Sequence, residues 1–198
     1  MSPDRTTFID TLYKEQKELT GFLQQKGELS FSQDVESYLS KTLTLSIASY
    51  FESEIINHIT EFASRITHSD EKLISLVRIR VLDRKFSSFF KWSERGIGGA
   101  TEFFGMFGND YKTHCKSQIK SDAALSEALS AFLEIGELRN LLIHENFALY
   151  PFDKTADEVY ELYRKAIEFL FFIECGLLGS ESEEQMLDES ELNNLAST

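Results

Sequence analysis

Proline is almost missing from this chain: Pro3 and Pro151 are the only two in 198 residues. Because proline is the strongest breaker of helix interiors, nearly the whole length is open to long helices. Cysteine is equally scarce. Cys115 and Cys175 stand alone, without the paired Cys or Cys/His spacing of a zinc site, so no metal and no cofactor is expected. Two isolated thiols suit a reducing compartment. Long hydrophobic runs are missing too. The most apolar stretch, Ala166 to Leu178, contains Glu168 and Glu174 and is too short to span a bilayer. Met1-Ser2-Pro3-Asp4-Arg5 has no apolar run behind a basic start. No secretory signal is read there, and a cytoplasmic location without membrane contact is expected. The glycines at 96, 98 and 99 lack GxxxxGK[ST] spacing and follow no strand, which excludes a phosphate-cradling loop of that type.

Positive charge is the next shortage. Lys and Arg number 20 against 33 Asp and Glu, for a net charge of −13. Six of the acids lie between Ser180 and Thr198, where there is no Lys or Arg; removing them leaves −7 on residues 1–179. Phosphate neutralisation by cations supplies most non-specific nucleic-acid affinity. An acidic chain therefore needs a local basic patch before it can hold RNA or DNA.

Hydrophobic residues with helical periodicity are plentiful. Residues 5–26 carry Phe8, Ile9, Leu12, Leu19, Phe22 and Leu23 on one broad stripe, which predicts an amphipathic helix ended by Gly27. Ser32 or Asp34 is expected to cap a second, long helix reaching Ile66, with Val35, Leu39, Leu43, Ile47, Phe51, Ile55 and Ile59 recurring every fourth residue. Asp70 caps a third, whose polar side carries Arg78, Arg80, Arg84 and Lys85. A short helix over 100–108 stops at Gly108, and a polar segment with Lys112, Lys116 and Lys120 follows. Asp122 caps the next helix and Thr155 the last, which Gly176 and Gly179 end. The aromatics Phe86, Phe89, Phe90, Trp92, Phe103, Phe104 and Phe107 read as core or interface. No strand run and no repeat is evident. The expectation is an all-α, up-and-down bundle of long helices. It would be one domain over 1–179, with residues 1–30 an added N-terminal helix and 180–198 an acidic disordered tail.

One stretch concentrates chemistry. In Arg139-Asn140-Leu141-Leu142-Ile143-His144, a cation, an amide and a histidine fall within two helical turns. Asn140 and His144 are four apart and share a face. Histidine suits proton transfer near neutral pH, and arginine offers a permanently charged fork for phosphoryl oxygens. RNA brings its own nucleophile, the 2′-hydroxyl. A His and an Arg would suffice for cleavage without a metal, leaving 2′,3′-cyclic phosphate and 5′-hydroxyl ends. One copy supplies one His, whereas the reaction uses a base and an acid, so a two-fold homodimer is expected. The bland alternative is a helix end whose Arg and His meet terminal carbonyls.

The Arg-x4-His spacing with Asn directly after Arg resembles the motif of the HEPN superfamily. The long early helix with Tyr50-Phe51-Glu52 at its middle, the Phe-Phe-Gly-x-Phe-Gly stretch and a closing helix after the motif are similar to the RiboL-PSP-HEPN and MAE_28990-like groups, over roughly residues 33–178. The resemblance implies a dimerising helical bundle. It implies a metal-independent endoribonuclease of a prokaryotic toxin–antitoxin or phage-defence system, with Arg139 and His144 catalytic, Asn140 supporting, and Glu52 a further candidate that would orient one of them. It equally admits a non-catalytic HEPN module that dimerises or binds a partner or nucleotide. Asn146 stands where some HEPN toxins carry a tyrosine two residues after the His, so control by modification of that tyrosine is not expected. The acidic tail could engage a partner or antitoxin protein.

Overall fold

The computed structural model describes residues 6–79 and 88–179. Among these residues it contains seven α-helices and no strand: α1 (Phe8–Gln25), α2 (Leu29–Ile66), α3 (Glu71–Val77), α4 (Thr101–Gly105), α5 (Asn109–Ser121), α6 (Ala123–His144) and α7 (Ala156–Leu178). A 3-10 turn over Gly96–Ala100 leads into α4. Arg80, Arg84, Lys85, Phe86 and the acidic segment 180–198 lie outside the described residues.

The helix starts follow local chemistry. Asp70 accepts hydrogen bonds from the backbone N–H groups of Lys72 and Leu73 at 3.0 Å. Asp122 does the same for Ala124 and Leu125 at 2.9 and 3.1 Å. Thr155 and Glu158 cap each other's backbone at the start of α7. Each cap satisfies donors that a helix N-terminus leaves open.

α2 is the mast of the fold. Its 38 residues span about 57 Å at the standard rise, and Leu43, Ile47, Phe51, Ile55 and Ile59 are all buried along it. Phe51 lies 5.4 Å from the ring of Phe132 on α6 and 6.1 Å from Tyr163 on α7. Phe132 also meets Phe90, Trp92 and Phe169, so one aromatic cluster joins α2, α6 and α7. Phe51 stands opposite Phe132, and Lys41 reaches Phe147 beyond the end of α6. Those two pairings make α2 and α6 antiparallel. Tyr163 beside Phe51 and Leu178 beside Arg65 make α2 and α7 parallel. The bundle therefore runs up and down, as expected. The segment Phe89 to Phe107 supplies buried rings, with Phe89, Phe90, Phe103 and Phe104 all within the core.

Four details differ from the sequence reading. α1 buries Ile9, Gln16 and Thr20, while Phe8, Leu19 and Phe22 are exposed. Gly27, at φ +81°, reverses the chain so tightly that α1 meets the polar start of α2, where Ser32 donates to the Thr20 carbonyl. For the same reason α2 begins at Leu29, ahead of the expected caps, with no side-chain cap bond. The lysine-rich segment after Gly108 is itself a helix, α5, which buries only Cys115 and Ile119. Gly176 lies inside α7 and leaves room for the Tyr111 hydroxyl, which a Cβ there would approach to 2.6 Å.

α1 is tied to α7 by polar side chains. Thr7 and Tyr163 share a 2.6 Å hydrogen bond, Tyr160 donates to Asp10 at 2.7 Å, and Tyr13 donates to Asp157 at 2.8 Å. The rings of Tyr13 and Tyr160 stack at 3.9 Å. No described helix is long and apolar enough to cross a membrane.

Candidate functional site

The site is built on the last two turns of α6. Upstream, Leu129, Phe132, Leu133, Ile135 and Gly136 bury the helix, and the Trp92 indole packs against Gly136, where even a methyl group would collide. Downstream, the helix stops because Glu145 turns to extended backbone at φ −93°, ψ 170°. The Asn146 carbonyl accepts from the N–H groups of Leu149 and Tyr150, and its Oδ1 accepts from the N–H of Ala148. This side-chain-to-backbone turn folds the loop back beneath the helix end.

Three expected site residues come together here. Arg139 Nη1 donates to Asn140 Oδ1 at 3.0 Å. Asn140 and His144 share a face by their i, i+4 spacing. Arg139 and Asn140 are half-buried and His144 is exposed. Among the described residues no carboxylate pairs with Arg139, and the His144 ring has no hydrogen-bond partner. The helix C-terminus beside His144 carries partial negative charge.

The nearest acids on α6 are occupied. Glu134 pairs with Lys154 at 2.8 Å and Glu137 with Arg95 at 3.1 Å. Arg95 and Lys154 thus offset the carboxylates of the preceding turn. This local balance differs from the net charge of −13.

Glu52 is not joined to this group. No hydrogen bond or ion pair links it to Arg139 or His144 among the described residues. It follows Phe51, which faces Phe132, and Phe132 is seven residues before Arg139. That separation is about 10 Å along the helix axis. Of the three residues between Asn140 and His144 only Leu142 is buried; Leu141 and Ile143 are 39% and 51% exposed. Successive residues point about 100° apart, so one of three consecutive side chains can face the core. Leu149 in the following loop is 79% exposed, which widens an apolar rim around the polar group.

Sequence reasoning missed Lys41, Arg95 and Lys154. Arg95 and Lys154 come from loops far apart in sequence, and only the fold brings them to one turn of α6. Lys41 carries no local signal either; it is a single lysine on a long helix.

A cavity of about 400 Å³ lies elsewhere, between α5 and α7, with Tyr111, His114, Cys115 and Cys175 among its lining residues. None of Arg139, Asn140, His144 or Glu52 borders it. Neither cysteine forms a disulfide. Burial pushes the Cys115 thiol and the Tyr111 phenol up from their ordinary values. Among the described residues no group of three or more His, Cys, Asp or Glu is placed to hold a metal ion.

An all-helical bundle with Arg, Asn and His grouped at one helix end defines a class before it defines a protein. The profile of the RiboL-PSP-HEPN family matches residues 10–175, so the chain belongs to that family. The match begins within α1. Comparison with curated proteins and with solved structures returned no match. Membership places the chain among HEPN domains, a class that contains ribonucleases and nucleotide-binding modules.

Proposed function

We infer that this chain is a metal-independent endoribonuclease of the HEPN type, acting as a two-fold dimer. The observation that carries the reading is the cluster of Arg139, Asn140 and His144 at the open end of α6, with Arg139 free of any carboxylate among the described residues. In the proposed reaction one His144 accepts the proton of the RNA 2′-hydroxyl. The 2′-oxygen forms a bond to phosphorus and the bond to the 5′-oxygen breaks. His144 of the second copy gives a proton to that leaving oxygen. Arg139 stabilises the charge that develops on the phosphoryl oxygens, and Asn140 holds the guanidinium in place. The products carry 2′,3′-cyclic phosphate and 5′-hydroxyl ends. The exposed Leu141, Ile143 and Leu149 supply an apolar surface beside the motif on which two copies can meet. Glu52 is given no step within one copy. A prokaryotic toxin–antitoxin or phage-defence role is the setting that fits such an activity.

His144→Ala tests this directly. Removing a general acid–base group costs roughly 10²–10⁴-fold in rate. We expect loss of cyclic-phosphate ends with the dimer and thermal midpoint preserved, because His144 is exposed. Cleavage that survives the substitution would overturn the proposal. The net charge of −13 favours a second reading, a non-catalytic HEPN module for dimerisation or for binding a partner or nucleotide. Wild-type protein that binds a nucleotide or a partner, and leaves RNA intact, would establish that one.

A further inference from the structure

Lys41, near the start of α2, is 3% exposed, and no carboxylate among the described residues pairs with it. A buried ammonium is costly unless its donors are used. Packing alone would be served as well by methionine or leucine, which fill similar volume without desolvating a charge. The lysine is therefore explained by what its charge touches. Nζ donates to the Phe147 carbonyl at 3.0 Å, and it stands over the rings of Phe147 and Tyr38 at 5.6 and 5.8 Å. Two of these three contacts belong to Phe147, which lies three residues beyond His144.

The position of His144 rests on what lies on either side of it. Its ring has no partner among the described residues. On its N-terminal side Leu142 is buried in the core. On its C-terminal side the chain leaves the helix at Glu145, turns on Asn146 and is caught at Phe147 by Lys41. The Phe147 backbone is thereby tied to α2, the longest helix of the bundle. A helix end frays unless its last carbonyls and the chain beyond it are held.

We propose that Lys41 is a positioning residue for the α6 end: it fixes His144 by holding the Phe147 carbonyl against α2. This rests on the ribonuclease reading only for its consequence in cleavage; the positioning itself is a property of the folded chain.

The test uses the full chain with Lys41→Met, which keeps the apolar stem and deletes the charge, and Lys41→Arg, which keeps the charge and a donor. The first readout is independent of activity: ring resonances of the histidines and hydrogen exchange of the amides of residues 145–150. In Lys41→Met we expect the His144 ring signals to move or broaden, His114 on α5 to stay unchanged, and exchange over 145–150 to accelerate. The second readout is cleavage. A small displacement of a reacting group can cost up to about 100-fold, so kcat should fall by about 10- to 100-fold while KM changes by less than about twofold. Lys41→Arg should recover most of both. Unchanged His144 signals in Lys41→Met would overturn the proposal whether or not the wild type cleaves RNA. Faster exchange over 145–150 with kcat intact would also overturn it, since Lys41 would then be a loop anchor and nothing more. Wild type that leaves RNA intact, together with a perturbed His144 ring in Lys41→Met, would sink the ribonuclease reading and leave the positioning standing. Should Lys41→Met fail to fold, Lys41→Gln carries the same readouts.

Discussion

The seam between α1 and α7 and the open end of α6 treat charge in opposite ways. Along the seam Asp10 and Asp157 are both held by hydrogen bonds. Burial would raise the Asp10 carboxyl, but the Thr7 backbone N–H, the hydroxyls of Tyr160 and Thr7, and the charge of Arg164 together hold it below its ordinary value. Lys17, together with the Tyr13 hydroxyl, does the same for Asp157. At the end of α6, Arg139 meets only the neutral Asn140 among the described residues and His144 meets nothing. Satisfied polar groups hold a structure in one arrangement. Groups left unsatisfied beside solvent are available to a ligand. The difference separates what keeps this bundle together from what it is suited to do.

The sharpest way to break the comparison is to mutate one side and read both properties. Arg139→Ala should lower RNA cleavage by about 10²–10³-fold, the cost of losing one donor to a developing oxyanion. Its stability should change by about 1 kcal/mol, the loss of one half-buried hydrogen bond to Asn140. Asp10→Asn should lower stability alone. It removes the charge and leaves one acceptor oxygen where Asp10 uses two, so either the Thr7 N–H or the Tyr160 hydroxyl loses its partner, at about 1 kcal/mol. That corresponds to roughly 2–4 °C in a domain of this size, with cleavage retained. Since folding lowers the Asp10 pKa, its contribution is full above the ordinary value of 3.8 and is lost as pH falls through the lowered value. The gap between wild type and Asp10→Asn should close there in denaturant titrations. Loss of cleavage in Asp10→Asn at full stability would merge the two regions and remove the distinction.

Gly136→Ala sits between the regions and should have the next effect. The added methyl meets the face of Trp92, whose ring packs on Phe90 and Phe132. Overpacking of this kind costs about 1–3 kcal/mol, so the thermal midpoint should drop. Gly136 is three residues, less than one turn, before Arg139. A variant that keeps its midpoint would mean that Trp92 can swing away, and that the platform under the site is softer than its packing suggests.

How much of this could be read from the chain alone differs by region, for the same reason. The caps Asp70, Asp122 and Thr155 were legible because each bond closes within three residues. The α2 core row was legible because its spacing repeats over 38 residues. The Arg139–Asn140–His144 group was legible because one helix carries all of it. The inward face of α1 was only partly legible: Ile9 points inward, but Phe8, Leu19 and Phe22 are exposed, and its buried side includes Gln16, whose amide atoms have no hydrogen-bond partner among the described residues. Which side of a helix is buried is decided by its neighbour, and that neighbour is the polar start of α2. α5 was missed because two buried residues, Cys115 and Ile119, make too faint a periodic signal. Lys41, Arg95 and Lys154 owe their roles to partners at least 20 residues away.

The smallest effect is an alkaline one, and it sharpens the seam rather than breaking it. Burial, then the hydrogen bond to Asp157, pushes the Tyr13 phenol up to about 12. Burial, then the bond to Asp10, does the same for Tyr160. In the unfolded chain both ionise near 10.0, so between about pH 10 and 12 the folded state holds protons that the unfolded state has released. Stability contributed by these phenols is complete below pH 10 and drains away as pH rises through the folded values. Tyr13→Phe removes one titrating group and one bond to Asp157. It should leave a shallower fall of stability over that window, seen in denaturant midpoints from pH 9 to 12, with tyrosinate absorbance tracking the remaining phenol. Cleavage measured at neutral pH should not change, since the bond that Tyr13 makes joins α1 to α7. An unchanged slope would mean that the stacked pair of Tyr13 and Tyr160, 3.9 Å apart, opens before it ionises. The contact between α1 and α7 would then be held by Thr7, Asp10 and the Lys17–Asp157 pair.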